Sequence, residues 1–344
     1  MIRRHPFVQS VEAGLRRRCG VGPSARLLVA VSGGADSVAL LVALKAVARQ
    51  SHYRLDLHVG HVHHHLRAGA GADAEAVADL AGRLDLPFHR RDVTIAPAAG
   101  NLEAAARRER YAALAGLADE LAAEAVATAH HADDQLETIL MRLARGASVR
   151  GLAAMADRTP LSGATVVRPM LETDHAAAIA FCGEAGVSWR EDPTNADRDR
   201  WRARLRAEVL PVLRELRPDA ARKAVESARR LRDATRIVER WTEGVAERLI
   251  VEEAGERWME RGAARELGRE ELAALLRRQA VELGVRADRL AGRVIDRIAH
   301  AATSRSGEAR RFDLADGAAV EVSARYVTFK PPRTGRGQST EAAP

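Results

Sequence analysis

Six residues from Ser32 to Ser37 have the composition of a phosphate-binding loop. The segment reads Ser-Gly-Gly-Ala-Asp-Ser and connects a predicted short buried strand, residues 25–31, to a helical pattern of apolar residues. Gly33 and Gly34 allow the backbone to turn sharply and to approach a ligand closely. The amide groups at the start of a helix favour an anion. The candidate ligands of a phosphate or pyrophosphate group are therefore Ser32, Gly33, Gly34, Ala35, Asp36 and Ser37. The Walker form of such a loop is absent, because no lysine follows the glycines.

A second polar segment, residues 127–138, places histidines and carboxylates at the start of a predicted helix. Acidic residues at this position commonly cap a helix. If they face a triphosphate, the same carboxylates can bind magnesium or orient a cationic nucleophile. The candidates for contacts with substrate or magnesium here are His131, Asp133, Asp134 and Glu137.

The segment around residues 61–67 adds further histidines. His61 is a candidate contact to substrate or magnesium, and three adjacent imidazoles follow at His63, His64 and His65. Neighbouring side chains on a strand point in alternating directions, so a zinc cage made by these three histidines is disfavoured.

Arginines on two predicted helical segments are candidates for binding anions. Arg107 and Arg110 are three residues apart, so they share one helix face and can reach a phosphate. Residues 200–240 contain more than twice as many basic as acidic residues. Such a stripe can be a solvated helix face, but beside an ATP site it favours contact with a polyanion. The candidates for backbone contacts with nucleic acid are Arg145, Arg202, Arg204 and Arg206.

The elements that must position these residues alternate between strand and helix as far as the polar stretch that begins at Trp189. This order predicts an α/β fold with a doubly wound parallel sheet, whose ligand crevice lies at the carboxyl ends of the strands. From about Leu205 to Ala302 the sequence is almost continuously helical in composition, with breaks at Pro211, Pro218 and a few glycines. Residues 310–330 alternate as in a short β-meander. The predicted organisation is a catalytic domain at 1–218, a helical region at 219–302, a small β-meander at 303–330 and a disordered tail at 331–344.

Length and composition exclude several protein classes. The chain has 344 residues, a net charge of +7 and only two cysteines, Cys19 and Cys182. Because these are far apart, a disulfide scaffold, a zinc ribbon and a two-cysteine redox centre are disfavoured. No apolar stretch is long enough for a spanning helix. We expect a protein of the reducing cytoplasm without a membrane partner.

The hexapeptide at 32–37 resembles the PP-loop of ATP pyrophosphatases, which cleave ATP between the α and β phosphates and transfer AMP to an oxygen of the substrate. Taken in order with five further blocks, it resembles tRNA(Ile)-lysidine synthetase over about residues 20–220. The five blocks are HVHHHLR with Asp73, ARRERY, AHHADDQLETILMRLARG, VVRPML and WREDPTN with RARLRAEVLPVL. The resemblance implies that ATP activates the C2 oxygen of the wobble cytidine in the CAU anticodon of tRNA(Ile). The amine of free L-lysine then displaces AMP to give lysidine.

This resemblance also implies roles for individual residues. Asp36, Arg107 and Asp134 fall at the family's catalytic positions, Asp36 also as a magnesium ligand, and the neighbours Arg110 and Asp133 are open alternatives. ATP and Mg²⁺ are the implied cofactors, and the implied partners are tRNA(Ile), L-lysine and, as an expectation, a second copy in a homodimer. The family commonly has RNRIR where this chain has RARLR, so Ala203 removes an amide.

Two rival functions remain. Related PP-loop enzymes thiolate tRNA, but that chemistry uses cysteine thiolates in pairs or an iron-sulfur cluster. A non-catalytic protein that only binds nucleotide or tRNA is the other alternative, which the full set of charged residues disfavours.

Overall fold

The computed structural model describes residues 4–50, 53–63, 70–94, 102–161, 163–190, 201–253, 256–286 and 289–332. By internal contacts the chain divides into two compact units, Met1–Arg232 and Asp233–Pro344. The division falls inside a long helix that runs from residue 220 to residue 249. The domain boundaries predicted from the sequence, at 218 and 302, stay predictions. His64, His65 and nearly all of the predicted tail lie outside the described residues. Among the residues that are described, no helix combines the length and apolar character needed to cross a membrane.

A six-stranded sheet forms the centre of the N-terminal unit. Its strands are β1 (Arg26–Ala30), β2 (Asp56–His63), β3 (Phe88–Asp92), β4 (Ala125–Ala127), β5 (Arg158–Leu161) and β6 (Ala164–Val167). They are arranged in the order β3-β2-β1-β4-β6-β5, and all neighbours are parallel except the β5–β6 pair. In the register of the central strand, Leu28 pairs with His58 on one side and Val126 on the other. The predicted doubly wound parallel sheet is confirmed.

Helices connect the strands of this unit and cover the sheet. They are α1 (Pro6–Ala13), α2 (Ala35–Ala48), α3 (Ala70–Arg83), α4 (Leu102–Glu120), α5 (Ala132–Ala144), α6 (Val149–Leu152) and α7 (His175–Glu184), followed by α8 (Trp201–Arg204), α9 (Leu210–Leu216) and the first part of α10 (Ala220–Leu249). Leu27, Leu28 and Val29 are fully buried, as expected for a strand covered on both faces. α2 packs against this strand with almost all of its apolar residues buried. The central strand and α2 therefore hold the loop between them in a fixed place.

The edge strand β5 was not expected from the sequence. It is only four residues long and contains Pro160, which cannot donate a ladder hydrogen bond. An edge position tolerates this residue, and the antiparallel pairing with β6 places β5 at the end of the sheet.

The C-terminal unit combines helices with a five-stranded antiparallel sheet. Its elements are the remainder of α10, then β7 (Val251–Glu253), β8 (Glu256–Glu260), α11 (Arg261–Glu266), α12 (Arg269–Glu282), α13 (Gly292–Thr303), β9 (Arg310–Asp313), β10 (Ala319–Val322) and β11 (Tyr326–Lys330). The strand order is β7-β8-β11-β10-β9. The expectation of continuous helix to Ala302 is therefore wrong at β7 and β8. Met259 of β8 is buried against the apolar residues of this unit, and the strand pairs with β11, a partner distant in sequence.

Arg261 is the largest fully buried side chain of the chain's described residues. Its guanidinium donates hydrogen bonds to the carbonyl oxygens of Ala301, Ala302 and Ser323. The carbonyl groups at the end of a helix lack intrahelical hydrogen-bond partners. Arg261 supplies such partners at the end of α13 and connects this helix to the turn between β10 and β11.

Candidate functional site

The loop between β1 and α2 has the geometry of an anion-binding turn. Gly33 has a φ of +95°, a conformation that side chains with a Cβ atom rarely adopt. Within the loop, the Ser37 hydroxyl donates to the Gly34 carbonyl at 2.9 Å and accepts from the Ser32 amide at 3.2 Å. The first amides of α2 have no intrahelical partner and so remain available to an anion.

Arg190 connects a distant part of the chain to this loop. Its amide donates to the Gly33 carbonyl at 3.0 Å, and its Nε donates to Asp73 at 2.5 Å. Asp73 lies on α3 and is buried. Asp73 and Arg190, which belong to two different sequence blocks, therefore meet beside the phosphate loop.

Asp36 lies in the first turn of α2 between two histidines. The Nδ1 atom of His175 donates to its carboxylate at 2.9 Å, and the Nε2 atom of His131 lies 3.5 Å from its other oxygen. Burial opposes ionisation of Asp36, but the hydrogen bonds from His131 and His175 lower its pKa below the usual range of a carboxyl group. Asp36 is thus ionised at neutral pH, and its side chain is 27% exposed to solvent.

Three carboxylates at the start of α5 each pair with an arginine from the segment 202–214. Asp133 lies 2.7 Å from Arg214, Asp134 lies 2.7 Å from Arg206, and Glu137 lies 3.2 Å from Arg202. Arg206 also donates to Glu137, whose side chain is fully buried. The acidic helix start and part of the basic stripe therefore form one ion-pair network.

Asp134 and Glu137, the two carboxylates of this network that contact Arg206, differ in the direction in which their pKa values are shifted. Burial raises the pKa of Asp134, but the stronger combined effect of His131, His130 and Arg206 lowers it. Burial raises the pKa of Glu137 above its usual value, although Arg206 opposes this. His131 is itself buried, which lowers its pKa, but Asp134, Asp36 and Asp133 together raise the pKa to about 9. Asp134 is therefore the more firmly ionised carboxylate of the two.

Arg107 lies on α4 and stacks over Tyr111, with its guanidinium carbon 5.0 Å from the ring centroid. Its Nη2 atom donates to the Tyr111 hydroxyl at 3.4 Å. Burial lowers the pKa of the neighbouring His130 to about 3, and the charges of Arg107 and Arg110 act in the same direction. His130 is consequently neutral at pH 7.

His61 is buried at the end of β2. Its Nδ1 atom donates to the Val31 carbonyl at 2.8 Å, immediately before the phosphate loop. Burial lowers its pKa. The structure therefore places His61 as a support of the loop backbone.

The four arginines predicted to contact nucleic acid lie in different environments. Arg202 and Arg206 belong to the ion-pair network, as described above. Arg204 is largely exposed and pairs with Glu208 one turn away at 3.2 Å. Arg145 is exposed and stacks over Trp201, with 4.8 Å between its guanidinium carbon and the ring centroid. Arg145 and Arg204 thus remain accessible to a large ligand.

Both cysteines are buried thiols. The Cys19 Sγ atom donates to the Asp157 carbonyl at 3.4 Å, and the Cys182 Sγ atom donates to the Ala35 carbonyl at 3.6 Å. Burial raises the pKa of each thiol to about 11. Neither is a thiolate at neutral pH.

Two residues of the site were missed by sequence reasoning. His175 follows the helix cap Asp174 in a segment typical of an ordinary helix start. Arg214 is one of many arginines in its region. The sequence carries no signal that separates either residue from its neighbours, because each reaches its partner only through the folded chain.

Comparisons with known proteins identify the family of the chain. Residues 8–213 match a family described as a PP-loop domain. A tRNA(Ile)-lysidine synthase of Bordetella pertussis is 42% identical over 219 residues, which are 62% of this chain and 67% of that protein. The chain belongs to the tRNA(Ile)-lysidine synthase family. A tRNA(Ile)-lysidine synthase of Symbiobacterium thermophilum is 39% identical over 258 residues, 73% of this chain, and the match spans about half, 53%, of that protein.

A solved structure of the U34-tRNA thiolase NcsA from Methanococcus maripaludis, with its [4Fe-4S] cluster, has the same fold. It superimposes with a TM-score of 0.55 at 14% sequence identity, covering 65% of this chain and 79% of the thiolase. At this identity the similarity shows the PP-loop fold alone.

Proposed function

We propose that the protein ligates free L-lysine to C2 of the wobble cytidine in the CAU anticodon of tRNA(Ile), with cleavage of ATP to AMP and pyrophosphate. The observation that supports this most is the position of Asp36. Its ionised carboxylate lies in the first turn behind the phosphate loop and 3.5 Å from His131, the N-cap residue of α5. One site therefore holds both an anion cradle and a group of carboxylates. The names of the relatives supply the substrate.

The first step would be adenylation. The C2 oxygen of the cytidine attacks the α-phosphorus of ATP, the bond to the β-phosphate oxygen breaks, and pyrophosphate leaves. The amides at residues 33–37 would hold the leaving pyrophosphate. Arg107, which has no carboxylate partner among the described residues, would contact the α-phosphate.

Magnesium fits this arrangement. Mg²⁺ is usually bound by one or two carboxylates together with phosphates and waters, and Asp36 offers a partly exposed carboxylate beside the loop. When bound, the ion would neutralise the charge that develops on the leaving group.

The second step would be attack by the lysine amine on C2. The new C–N bond forms as the C–O bond to AMP breaks, and the amine loses a proton. Asp134 would attract the amino group, because its lowered pKa keeps it charged. Asp133 is held at 2.7 Å by Arg214 and accepts the His175 amide at 2.9 Å, so it would serve to position the start of α7 beside Asp36.

Thiolation is the rival activity on this fold, and the cysteines disfavour it. Sulfur transfer requires a thiolate or a cluster held by several cysteines. This chain has two cysteines, both buried and both with raised pKa values. We further propose a cytoplasmic location. Homodimer formation stays a prediction.

Nucleoside mass analysis tests the proposed function. The full chain is incubated with tRNA(Ile) carrying a CAU anticodon, ATP, Mg²⁺ and L-lysine, and the tRNA is digested. We expect one cytidine to gain the mass of a lysyl substituent, with an equal amount of AMP. The Asp36→Asn variant and a tRNA without cytidine at the wobble position are the controls. ATP cleavage without modified cytidine, or a thiolated nucleoside, would contradict the assignment.

A further inference from the structure

We infer that Asp36, His131 and His175 form a binding site for a divalent transition-metal ion of the Zn²⁺ or Co²⁺ type, and that this site is complete without nucleotide. The three side chains each offer one possible ligand atom, and these atoms all lie within 4.8 Å of one another. One carboxylate oxygen and two imidazole nitrogens are ligands that suit zinc and similar ions, whereas magnesium prefers oxygen alone. This inference does not depend on the proposed function.

The spacing is close to that of a metal site. Zinc binds nitrogen and oxygen at about 2.0–2.2 Å, so ligand atoms around a tetrahedral ion are about 3.3–3.5 Å apart. The Nδ1 atom of His175 lies 2.9 Å from one oxygen of Asp36, and the Nε2 atom of His131 lies 3.5 Å from the other oxygen. To bind an ion, a rotation of the side chains must bring one of these oxygens and both nitrogens to the tetrahedral spacing. His175 has the freedom to do this, since its side chain is 47% exposed at the start of α7.

The surrounding charges distinguish Asp36 from the other carboxylates of the site. Asp133, Asp134 and Glu137 are each paired with an arginine, so a metal ion there would have to displace a fixed cation. Asp36 forms no ion pair with an arginine among the described residues, and its partners there are the two histidines. A histidine can exchange its proton for a metal ion without leaving its position.

His131 provides a second, independent observation. The residue is 4% exposed, and its Nδ1 atom has no hydrogen-bond partner among the described residues, with Asp133 the nearest carboxylate at 3.6 Å. Metal-binding histidines usually have the second ring nitrogen next to a carboxylate or carbonyl group, which orients the ring. Asp133 stands in that place beside Nδ1, while Nε2 lies 3.5 Å from a carboxylate oxygen of Asp36 and 3.5 Å from one of Asp134.

A different histidine pair offers a matched control. His58 and His89 lie on neighbouring strands with their ring nitrogens 2.9 Å apart, and Asp56 lies 3.4 Å from His58. This group also contains two histidines and one aspartate, but it is remote in sequence from the phosphate loop. If any such group bound metal unspecifically, the two groups would behave alike.

The test uses the metal-free full chain without nucleotide, titrated with Co²⁺ and followed by its visible d–d absorption. We expect one Co²⁺ per chain, displaced by an equimolar amount of Zn²⁺ but not of Mg²⁺. His175→Ala should weaken Co²⁺ binding at least tenfold, and Asp36→Asn should do the same, while His89→Ala should leave it unchanged. Circular dichroism and the melting temperature check that each variant is folded, and His175→Gln replaces the alanine variant if that one is not.

Three outcomes would overturn the inference. These are no Co²⁺ absorption with the wild type, equal affinities for wild type and the His175 variant, and loss of binding in His89→Ala instead. In each case His131 and His175 only orient the Asp36 carboxylate by hydrogen bonding.

Discussion

Arg206 lies 2.7 Å from Asp134 and at the same time donates to the buried Glu137. Burial opposes the charge of Arg206, but Glu137, Asp134 and Asp36 raise its pKa above the ordinary value. A residue from the basic stripe is therefore part of the carboxylate site. Arg204 of the same stripe faces solvent instead.

Replacing Arg206 by alanine should cost both stability and activity. Glu137 is fully buried and would lose its hydrogen-bonded partner, which typically costs about 1–3 kcal/mol. Pyrophosphate release should fall at least tenfold, because Asp134 loses the group that orients it. Urea unfolding and a pyrophosphate assay measure the two effects. Arg204→Ala is the control, since an exposed pair contributes about 0–1 kcal/mol. If the two variants behave alike, the ion-pair network has no role in the reaction.

Asp36→Asn and Ser37→Ala should each abolish most pyrophosphate release without unfolding the protein. The first removes the charge beside the phosphate loop, and the second removes the hydroxyl that closes the loop onto Gly34. We expect a loss of about 100-fold or more in rate. Asp56→Asn, at the opposite end of the neighbouring strand, is the control. Turnover like that of the wild type in both loop variants would contradict the PP-loop assignment.

His61 should make the protein sensitive to mild acid. Burial lowers its pKa in the folded state, so below the unfolded value of about 6.5 the unfolded chain takes up a proton first. The free energy of unfolding then falls with decreasing pH, by at most about 1.4 kcal/mol per pH unit for one group. Urea unfolding between pH 7 and 5 should show a smaller fall for His61→Gln than for the wild type. Parallel curves would show that His61 is not buried in its neutral form.

The cysteines should be dispensable. Because both thiols are buried and protonated, the double variant Cys19→Ser and Cys182→Ser should incorporate radiolabelled lysine into tRNA within about twofold of the wild-type rate, without any sulfur donor. A melting curve establishes that the variant folds. A folded but inactive variant would favour thiolation.

Arg145 and Arg204 should contribute to tRNA affinity through the phosphate backbone. Replacing both by alanine should weaken binding and reduce the dependence of log affinity on log salt by about one to two units, since each lost phosphate contact releases about one counterion fewer. ATP affinity should not change. Filter binding across a salt series, with cognate and non-cognate tRNA, measures this. Equal slopes for variant and wild type would show that these arginines are only solvated.

The order of elements in the N-terminal unit could be predicted because each strand and each helix has a recognisable residue pattern within its own segment. The run from Leu27 to Val31 is apolar without a break, and the glycines after it mark the turn. The same reasoning failed at β8. This segment has only five residues, two of them glutamate and one arginine, so it does not show the alternation of apolar and polar residues that indicates a strand. Only the pairing with β11, far along the chain, makes them a strand.

The candidate site was predictable to a similar extent. Asp36, Asp133 and Asp134 stand at helix starts after strands, and parallel topology brings such positions to one edge of the sheet. The contacts of His175 with Asp36 and of Arg206 with Asp134 depend on the angle at which separate helices pack, which residue spacing does not encode.

The strand order of the C-terminal sheet has a consequence for how the protein is made. β11 lies between β8 and β10, although it is the last of the five strands to leave the ribosome. Until residues 326–330 have been synthesised, the β7–β8 pair and the β9–β10 pair lack β11, the strand that connects them in the sheet. The N-terminal sheet, by contrast, has all six strands available once residue 167 has emerged. We therefore expect nascent chains to acquire their first protease-resistant unit long before the second, which must wait for its central strand.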